Sequence, residues 1–430
     1  MPDGGRKVLG NVEKKKIENW QEEEPYLYWM TCVEGIGSRT IEKLIGYAGS
    51  PRKAYDLKLP DMLEVIPKSR AEALIRAKKE GDIFEKYHIL KQKGIRFISI
   101  YHPCYPKRLK NIPDAPYGIY VEGRLPEESC PSIAVIGARQ CSDYGRFVAQ
   151  RCGRELALAG INVISGMAKG IDGISQWSAL KAGGKTYAVL GCGTDICYPS
   201  ENWNIYRKAK ENGGVISEYP PGTAPAARLF PRRNRIISGL ADVVLIIEAR
   251  EKSGTLITAD MALEQGKEVY VIPGRVTDSL SQGCNQMIKQ GAGIFTTLDE
   301  LLEETGLGDM LLHRETESEE VLADKDKAEA ENGMCGIEGA SGEEGIGPAR
   351  NLKKGNGGGS MTGEEKEIGQ TQIDKKILGI LDFYPKDVDK MMQETGIGYR
   401  DLVCALSRLC LEEKAVRVGA GQFKKGEFLG

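Results

Sequence analysis

Ser132-Ile-Ala-Val-Ile-Gly-Ala-Arg139 is a short apolar run that ends in a glycine and an arginine. Similar runs rich in Val and Ile recur at Ile161–Ser165, Lys185–Leu190, Val215–Glu218, Val243–Glu248 and Glu268–Pro273. After the first of them, Tyr144, Phe147, Val148, Cys152, Leu156 and Ala159 return at helical spacing on one face. Strands that are apolar on both faces and alternate with helices predict a parallel sheet covered on both sides. The stretch from Pro131 to Ala292 is therefore an α/β domain, Rossmann-like and doubly wound around a mainly parallel sheet.

In open parallel sheets ligands bind outside the carboxyl ends of the strands. Here those ends read Gly137-Ala-Arg139, Ser165-Gly166-Met-Ala-Lys169-Gly170, Gly191-Cys-Gly193, Glu218-Tyr-Pro, Glu248-Ala-Arg250 and Pro273-Gly274. Glycines let backbone approach a ligand and expose N–H groups to anions. Arg139 and Lys169 add positive charge at the same edge, which suits a phosphate-bearing ligand.

A chain of 430 residues is long enough for several domains. The net charge of −2 does not mark the whole chain as a nucleic-acid binder, so any basic site is local. The 11 cysteines are scattered, with no C-x-x-C pair, and read as reduced thiols rather than a disulfide framework or zinc site. The histidines are His88, His102 and His313. None lies in the central stretch, which excludes histidine catalysis and histidine metal sites there. No signal peptide or membrane span is predicted, so the expected location is cytoplasmic.

Residues 1–24 read as a loose N-terminus. Residues 25–94 read as a helical domain, helix-hairpin-helix or SAM-like, because Val33-Glu-Gly35-Ile-Gly37-Ser-Arg-Thr40 separates two helical patterns. Such a turn can offer backbone N–H groups to a DNA phosphate or serve as a packing unit. Val65-Ile-Pro67-Lys-Ser-Arg70 resembles a second copy. Residues 95–304 form the Rossmann-like domain, with strands before residue 125 leading into the sheet. Residues 305–370, acidic and then Gly-rich, read as a flexible linker. Residues 371–430 read as a winged helix, three helices and a hairpin. Its third helix carries Arg400 and Arg408 beside Asp401, Glu412 and Glu413, which leaves DNA and protein partners both open.

The first strand lacks G-x-G-x-x-G, and G-x-x-x-x-G-K-[ST] is absent, so the dinucleotide and P-loop readings lose their main support. Ser165-Gly-Met-Ala-Lys-Gly-Ile-Asp172 suits phosphate contact before a helix N-terminus, with Asp172 as the helix cap. Phe230-Pro-Arg-Arg233-Asn234-Arg235 offers arginine forks for phosphates and an aromatic platform for an unpaired base. Ser253-Gly254-Thr255 opens another helix whose N–H groups can receive an anion. Glu218 and Glu248 are either a hydrolase's acid or base, or partners that hold the arginines; the second is preferred.

Together these motifs resemble the DNA-processing protein A family (DprA, also called Smf). The resemblance is carried by Val135-Ile-Gly-Ala-Arg139, Tyr144-Gly145, Ser165–Asp172, Gly184-Lys-Thr186 with Val189–Gly193, Tyr198-Pro199 and Ile216–Pro220. It continues through Phe230–Ile237, Glu248-Ala249, Ser253–Ala259, Val271–Gly274 and Gly283-Cys-Asn285. Ser175-Gln176 stand where the family usually has Ala-His, so that histidine's role does not carry over. The resemblance implies a homodimer that binds single-stranded DNA and loads a RecA-type recombinase in natural transformation or recombination. It implies Arg139, Lys169 and Arg233-Asn234-Arg235 as strand contacts, with no catalytic activity, cofactor or metal.

An enzyme is the second reading, a nucleotide hydrolase of the lysine-decarboxylase-like class. Ser253-Gly-Thr255-Leu-Ile-Thr258 lacks the Thr-x-x-Glu of that class. A structural adaptor is the third.

Overall fold

The structure is a computed structural model that describes residues 19–311, 373–382, 386–412, 414–419 and 422–425. These residues fall into two units, described separately.

The first unit is built on a mixed sheet of nine strands. They are β1 (Arg96–Ser99), β2 (Gly118–Gly123), β3 (Ser132–Ile136), β4 (Asn162–Ser165), β5 (Thr186–Leu190), β6 (Gly213–Ser217), β7 (Val243–Ile246), β8 (Glu268–Val271) and β9 (Gly293–Ile294). The spatial order is β1-β2-β6-β5-β4-β3-β7-β8-β9, parallel from β6 to β9 and antiparallel at β1 and β2. The order reverses at β3. The chain moves outward through β4, β5 and β6, then returns to place β7 on the other side of β3. That reversal opens a crevice at the carboxyl ends of β3 and β7.

Helices cover both faces, as the two-sided apolar strands require. Ile133 and Val135 of β3 face α8 (Asp143–Leu158) and α9 (Ile171–Lys181). Ala134 and Ile136 face the opposite side, where α11 (Leu229–Leu240), α12 (Gly254–Glu264) and α13 (Gln282–Lys289) pack. α10 (Trp203–Glu211) follows β5, and α14 (Leu298–Thr305) closes the sheet's far end. Each fully buried aliphatic side chain stabilises this arrangement by about 1.5–3 kcal/mol. A charged residue at Ile133 or Val135 would break it.

Six helices precede the sheet: α1 (Trp20–Cys32), α2 (Ser38–Ala48), α3 (Pro51–Asp56), α4 (Leu59–Leu63), α5 (Lys68–Ala77) and α6 (Ile83–Gln92). A short α7 (Lys107–Lys110) lies between β1 and β2. The expected hairpins are present, α1 and α2 around Gly35-Ile-Gly37, and α4 and α5 around residues 64–67. Two differences from the sequence reading stand out. Residues 20–24 are not loose; they form the first turns of α1, and buried Glu24 accepts from Tyr87 Oη at 2.5 Å and Ser99 N at 3.1 Å. The helical segment 25–94 is also not packed apart from the sheet. Leu27, Met30, Leu44 and Leu74 share one apolar core with Tyr120, Ile216 and Ile236.

In the second unit, helix α15 covers 373–380, followed by β10 (Lys386–Asp387), α16 (Val388–Thr395), α17 (Tyr399–Leu411), β11 (Ala415–Gly419) and β12 (Gln422–Lys425). Ile377, Met391, Leu402, Leu406 and Phe423 form its core. Arg408 forks onto Asp374 at 2.7 and 3.1 Å, so this cation on α17 is tied to α15. The linker expected at 305–370 does not begin at 305: residues 307–311 are helical and Leu307 is buried in the core on the α8 side of the sheet, because Leu307, Met310 and Leu311 return at helical spacing. From residue 312 the expected linker lies outside the described residues.

Candidate nucleic-acid interface

The loops after β3 and β4 are side by side because these strands pair in parallel register. Arg139, exposed, leaves the first loop; Lys169, exposed, leaves the second. Gly170 binds the two together. Its φ of +76° is left-handed backbone that favours glycine, and a Cβ there would strike the carbonyls of Ala138 and Arg139. Ile171 N then donates to Ala138 O at 3.2 Å.

α11 supplies the third wall. Arg139's guanidinium lies over the Phe230 ring, 5.5 Å from its centroid. Tyr198, from the loop after β5, stacks on the same ring at 5.7 Å with planes 25° apart, and 46% of Tyr198 is exposed. Gly191 makes room for Phe230, since a Cβ there would lie 2.8 Å from the ring. A cation, an aromatic layer and a half-open tyrosine therefore line up at the strand ends. Such a column can hold a phosphate and stack an unpaired base. Lys169 is engaged by Glu201, both side chains 60% exposed. That bond pulls the Glu201 carboxyl below its usual range.

The remaining expected contacts sit deeper. Arg233 is buried at 5% exposure and donates to Gly166 O at 2.7 Å, to Val189 O and to Asn234 Oδ1 at 3.2 Å. Burial pulls its guanidinium down to about 10, opposed first by the nearby Asp172 carboxylate. At neutral pH it stays charged, fixing the floor under the Gly166 loop. A Cβ on Gly166 would fall on that guanidinium. Arg235 Nη2 donates to both carboxylate oxygens of Glu218, at 2.6 and 2.7 Å, and its Nε approaches Asp114 at 3.5 Å, with only 11% of the side chain exposed. Ser165 Oγ donates to Val135 O at 2.6 Å beneath the surface.

Asp172 is not the cap of α9. Gly170 holds that position, and no side chain caps it. Asp172 is the second helical residue, and its carboxylate accepts from Gly166 N at 3.2 Å. Burial pushes its carboxyl up, while Arg233 and the Gly166 N–H pull it back. Gln176 completes the support. Its Oε1 accepts from Met167 N at 3.0 Å, and its Nε2 donates to Thr186 Oγ1 and Tyr187 O at 3.1 and 3.2 Å. Met167 has φ +52°, strained for a side chain, and is held there by Gln176 and by Asn202, which donates to Met167 O at 2.9 Å. The departure from the family's Ala-His thus falls on a packing position.

Glu248 is 3% exposed at the crevice and accepts from Ser142 N at 3.0 Å and from Ser142 Oγ. It sits at the N-terminus of α8, where a carboxylate is favoured. Ser253, Gly254 and Thr255 open α12 at the end of β7, beside β3, and Gly254 faces open space. Gly137 is held against Ile171, where a Cβ would come within 2.7 Å of Cγ1. The structure therefore brings Arg139, Lys169, Gly170 and Phe230 together at the surface. Ser165, Gly166, Arg233 and Asn234 lie under them, and Arg235 and Ser253–Thr255 lie to either side. Tyr198 was not singled out as a contact, although the Tyr198-Pro199 motif was its signal.

Residues 96–306 match the family model described as DNA recombination-mediator protein A. Over 208 residues the chain is 41% identical to the DNA processing protein DprA of Streptococcus pneumoniae, covering 48% of this chain and 73% of that protein. It is 32% identical over 287 residues to the protein Smf of Synechocystis, covering 65% of this chain and 72% of that protein. The X-ray structure of Streptococcus pneumoniae DprA matches with a TM-score of 0.58 and 33% identity, over 65% of this chain and 97% of that one. Matches of this identity and extent show that the chain belongs to the DNA recombination-mediator protein A family, the DprA and Smf proteins, with a DNA-processing role of their kind.

Proposed function

We propose that this protein binds single-stranded DNA along the carboxyl edge of its sheet and passes it to a RecA-type recombinase, acting as a homodimer and without catalysing a reaction. The observation that carries the strand-binding part is the Arg139–Phe230–Tyr198 column beside Lys169. Stacking needs an unpaired base, whereas phosphate charge alone would serve a duplex equally. The recombinase step and the dimer rest on the family resemblance, and the family description as a recombination mediator supports the first. The hydrolase alternative needs a free carboxylate, but Glu218 is filled by Arg235 and Ser38, and Glu248 by Ser142. A gel shift with single-stranded and matched duplex DNA of equal length tests the binding, beside a nucleoside-monophosphate hydrolysis assay. Preference for the single strand and no hydrolysis are expected. Equal affinity for both would overturn the reading. Sedimentation at micromolar concentration and a pull-down with the cognate recombinase test the other two parts.

A further inference from the structure

The hairpin turn at Gly35-Ile36-Gly37 takes no part in the interface above, yet it lies across a cleft from the end of β6, the strand beside β5. The cleft has a volume of about 1060 Å³ and is walled by that turn, the first residues of α2 and the loop from Tyr219 to α11. Helical periodicity splits the basic segment of α11 between two sites. Phe230 and Arg233 face the loops after β3, β4 and β5. Residues 228, 232 and 235, spaced i, i+4, i+7, face the cleft.

Five arginines line the cleft, Arg39, Arg70, Arg228, Arg232 and Arg235, against the carboxylates of Glu34, Asp114 and Glu218. Glu218 and Asp114 are engaged by Arg235. Glu34 is almost fully exposed and reaches Arg228 only at 3.9 Å. Arg39 and Arg232 are exposed, and among the described residues neither has a carboxylate at ion-pair distance. α2, eleven residues long, starts at this cleft with Gly37 as its N-cap and no side chain capping it. Its first residue, Ser38, already donates through Oγ to the Glu218 carboxylate at 3.0 Å, and Thr40 N donates to Gly37 O at 2.8 Å, so an anion in the cleft would be met by its exposed arginines. No large exposed apolar side chain lines the cleft. A protein partner would need such an anchor; a phosphodiester backbone does not.

We propose that this cleft holds a second stretch of the same single strand, with Arg39, Arg228 and Arg232 meeting its phosphates. α11 carries the strand across, from Phe230 on one side to Arg232 on the other. This rests on the strand-binding role proposed above and extends its footprint onto the N-terminal hairpin.

The test uses the full chain, with dT oligomers of about 6 and about 16 nucleotides, within the range of site sizes for such proteins. The variants are Arg39→Ala combined with Arg228→Ala, Arg232→Ala alone, and Arg139→Ala as the control for the main interface. These side chains are exposed, so folding is retained. The double variant is expected to bind the short oligomer as the wild type does. On the long one it should lose roughly tenfold in affinity and flatten the salt slope by about 1.4, two phosphate contacts. Arg232→Ala should show the same length dependence at about half the size. Equal loss on both lengths, no loss on either, or loss confined to a matched duplex overturns the proposal. If the wild type binds neither oligomer, or Arg139→Ala affects neither, the strand-binding reading itself fails and the cleft proposal falls with it.

Discussion

Arg139 lies over the Phe230 ring at 5.5 Å from its centroid, joining the loop after β3 to α11 across the mouth of the sheet. Neither residue is placed by its own local sequence. The pair forms because β3, β4 and β5 are neighbours and α11 crosses their ends.

Tyr198→Ala removes the half-open end of the column and should weaken single-strand binding by the value of one stacked base, about 1–3 kcal/mol, and shrink the preference over duplex. Arg139→Ala should weaken binding to every sequence alike and flatten the salt slope by roughly 0.7. Fluorescence anisotropy across a salt series separates the two. An unchanged slope for Arg139→Ala would place the strand elsewhere.

Adjacent arginines on α11 should behave in opposite ways. Arg233 is buried against Gly166 O and Val189 O near the Asp172 carboxylate, so Arg233→Ala should destabilise the fold by about 3–5 kcal/mol. Arg232 is exposed, and Arg232→Ala should stay within about 0.5 kcal/mol of the wild type. Urea denaturation of both variants checks this directly.

Glu201→Gln should tighten binding by about two- to fivefold, because Lys169 is then released to a phosphate and a repelling carboxylate is lost. The gain should fade as salt is raised. Weaker binding by this variant would mean that Glu201 holds Lys169 in its working position.

Asp172 gives a signed pH effect. Its carboxyl is raised in the fold above the ordinary 3.8, chiefly by burial. The folded state therefore keeps the proton at a pH where the unfolded chain has released it. The contribution is largest in acid and declines as pH rises from 3.8 through the folded value. The stability of wild type minus that of Asp172→Asn should fall over that window. A difference that rises instead would show that the Arg233 charge outweighs burial.

The sheet was legible because β3 to β8 are almost wholly buried and read as short apolar runs rich in Val and Ile. The first hairpin was legible from Gly35 and Gly37, and the second from its likeness to the first at Val65–Arg70. The segment from Phe230 to Arg235 was not, because a run of neighbours in sequence becomes two faces on a helix. Only the turn geometry of α11 sends Arg233 inward and Arg232 outward. Asp172 looked like a cap because it stands near a helix start, but the helix begins one residue earlier and the carboxylate turns back to Gly166. The pairing of Arg235 with Glu218 was foreseen in kind, since a carboxylate at a strand end beside arginines is cheaply satisfied by one of them. The shared core of α1 and the sheet carried no local signal, because amphipathic helices look alike whether they pack on each other or on a strand.

That shared core fixes how the hairpin and the sheet can move. Leu27 and Met30 are as deeply enclosed as Ile119 and Tyr120, and Glu24 is tied to β1 through Ser99 N. The gap between the Gly35–Gly37 turn and α11 is thus a preset mould rather than a jaw that shuts on its cargo. A strand bound there as proposed would find its shape waiting, and the pace of capture would follow the frequency of collisions instead of any slow refitting of the host.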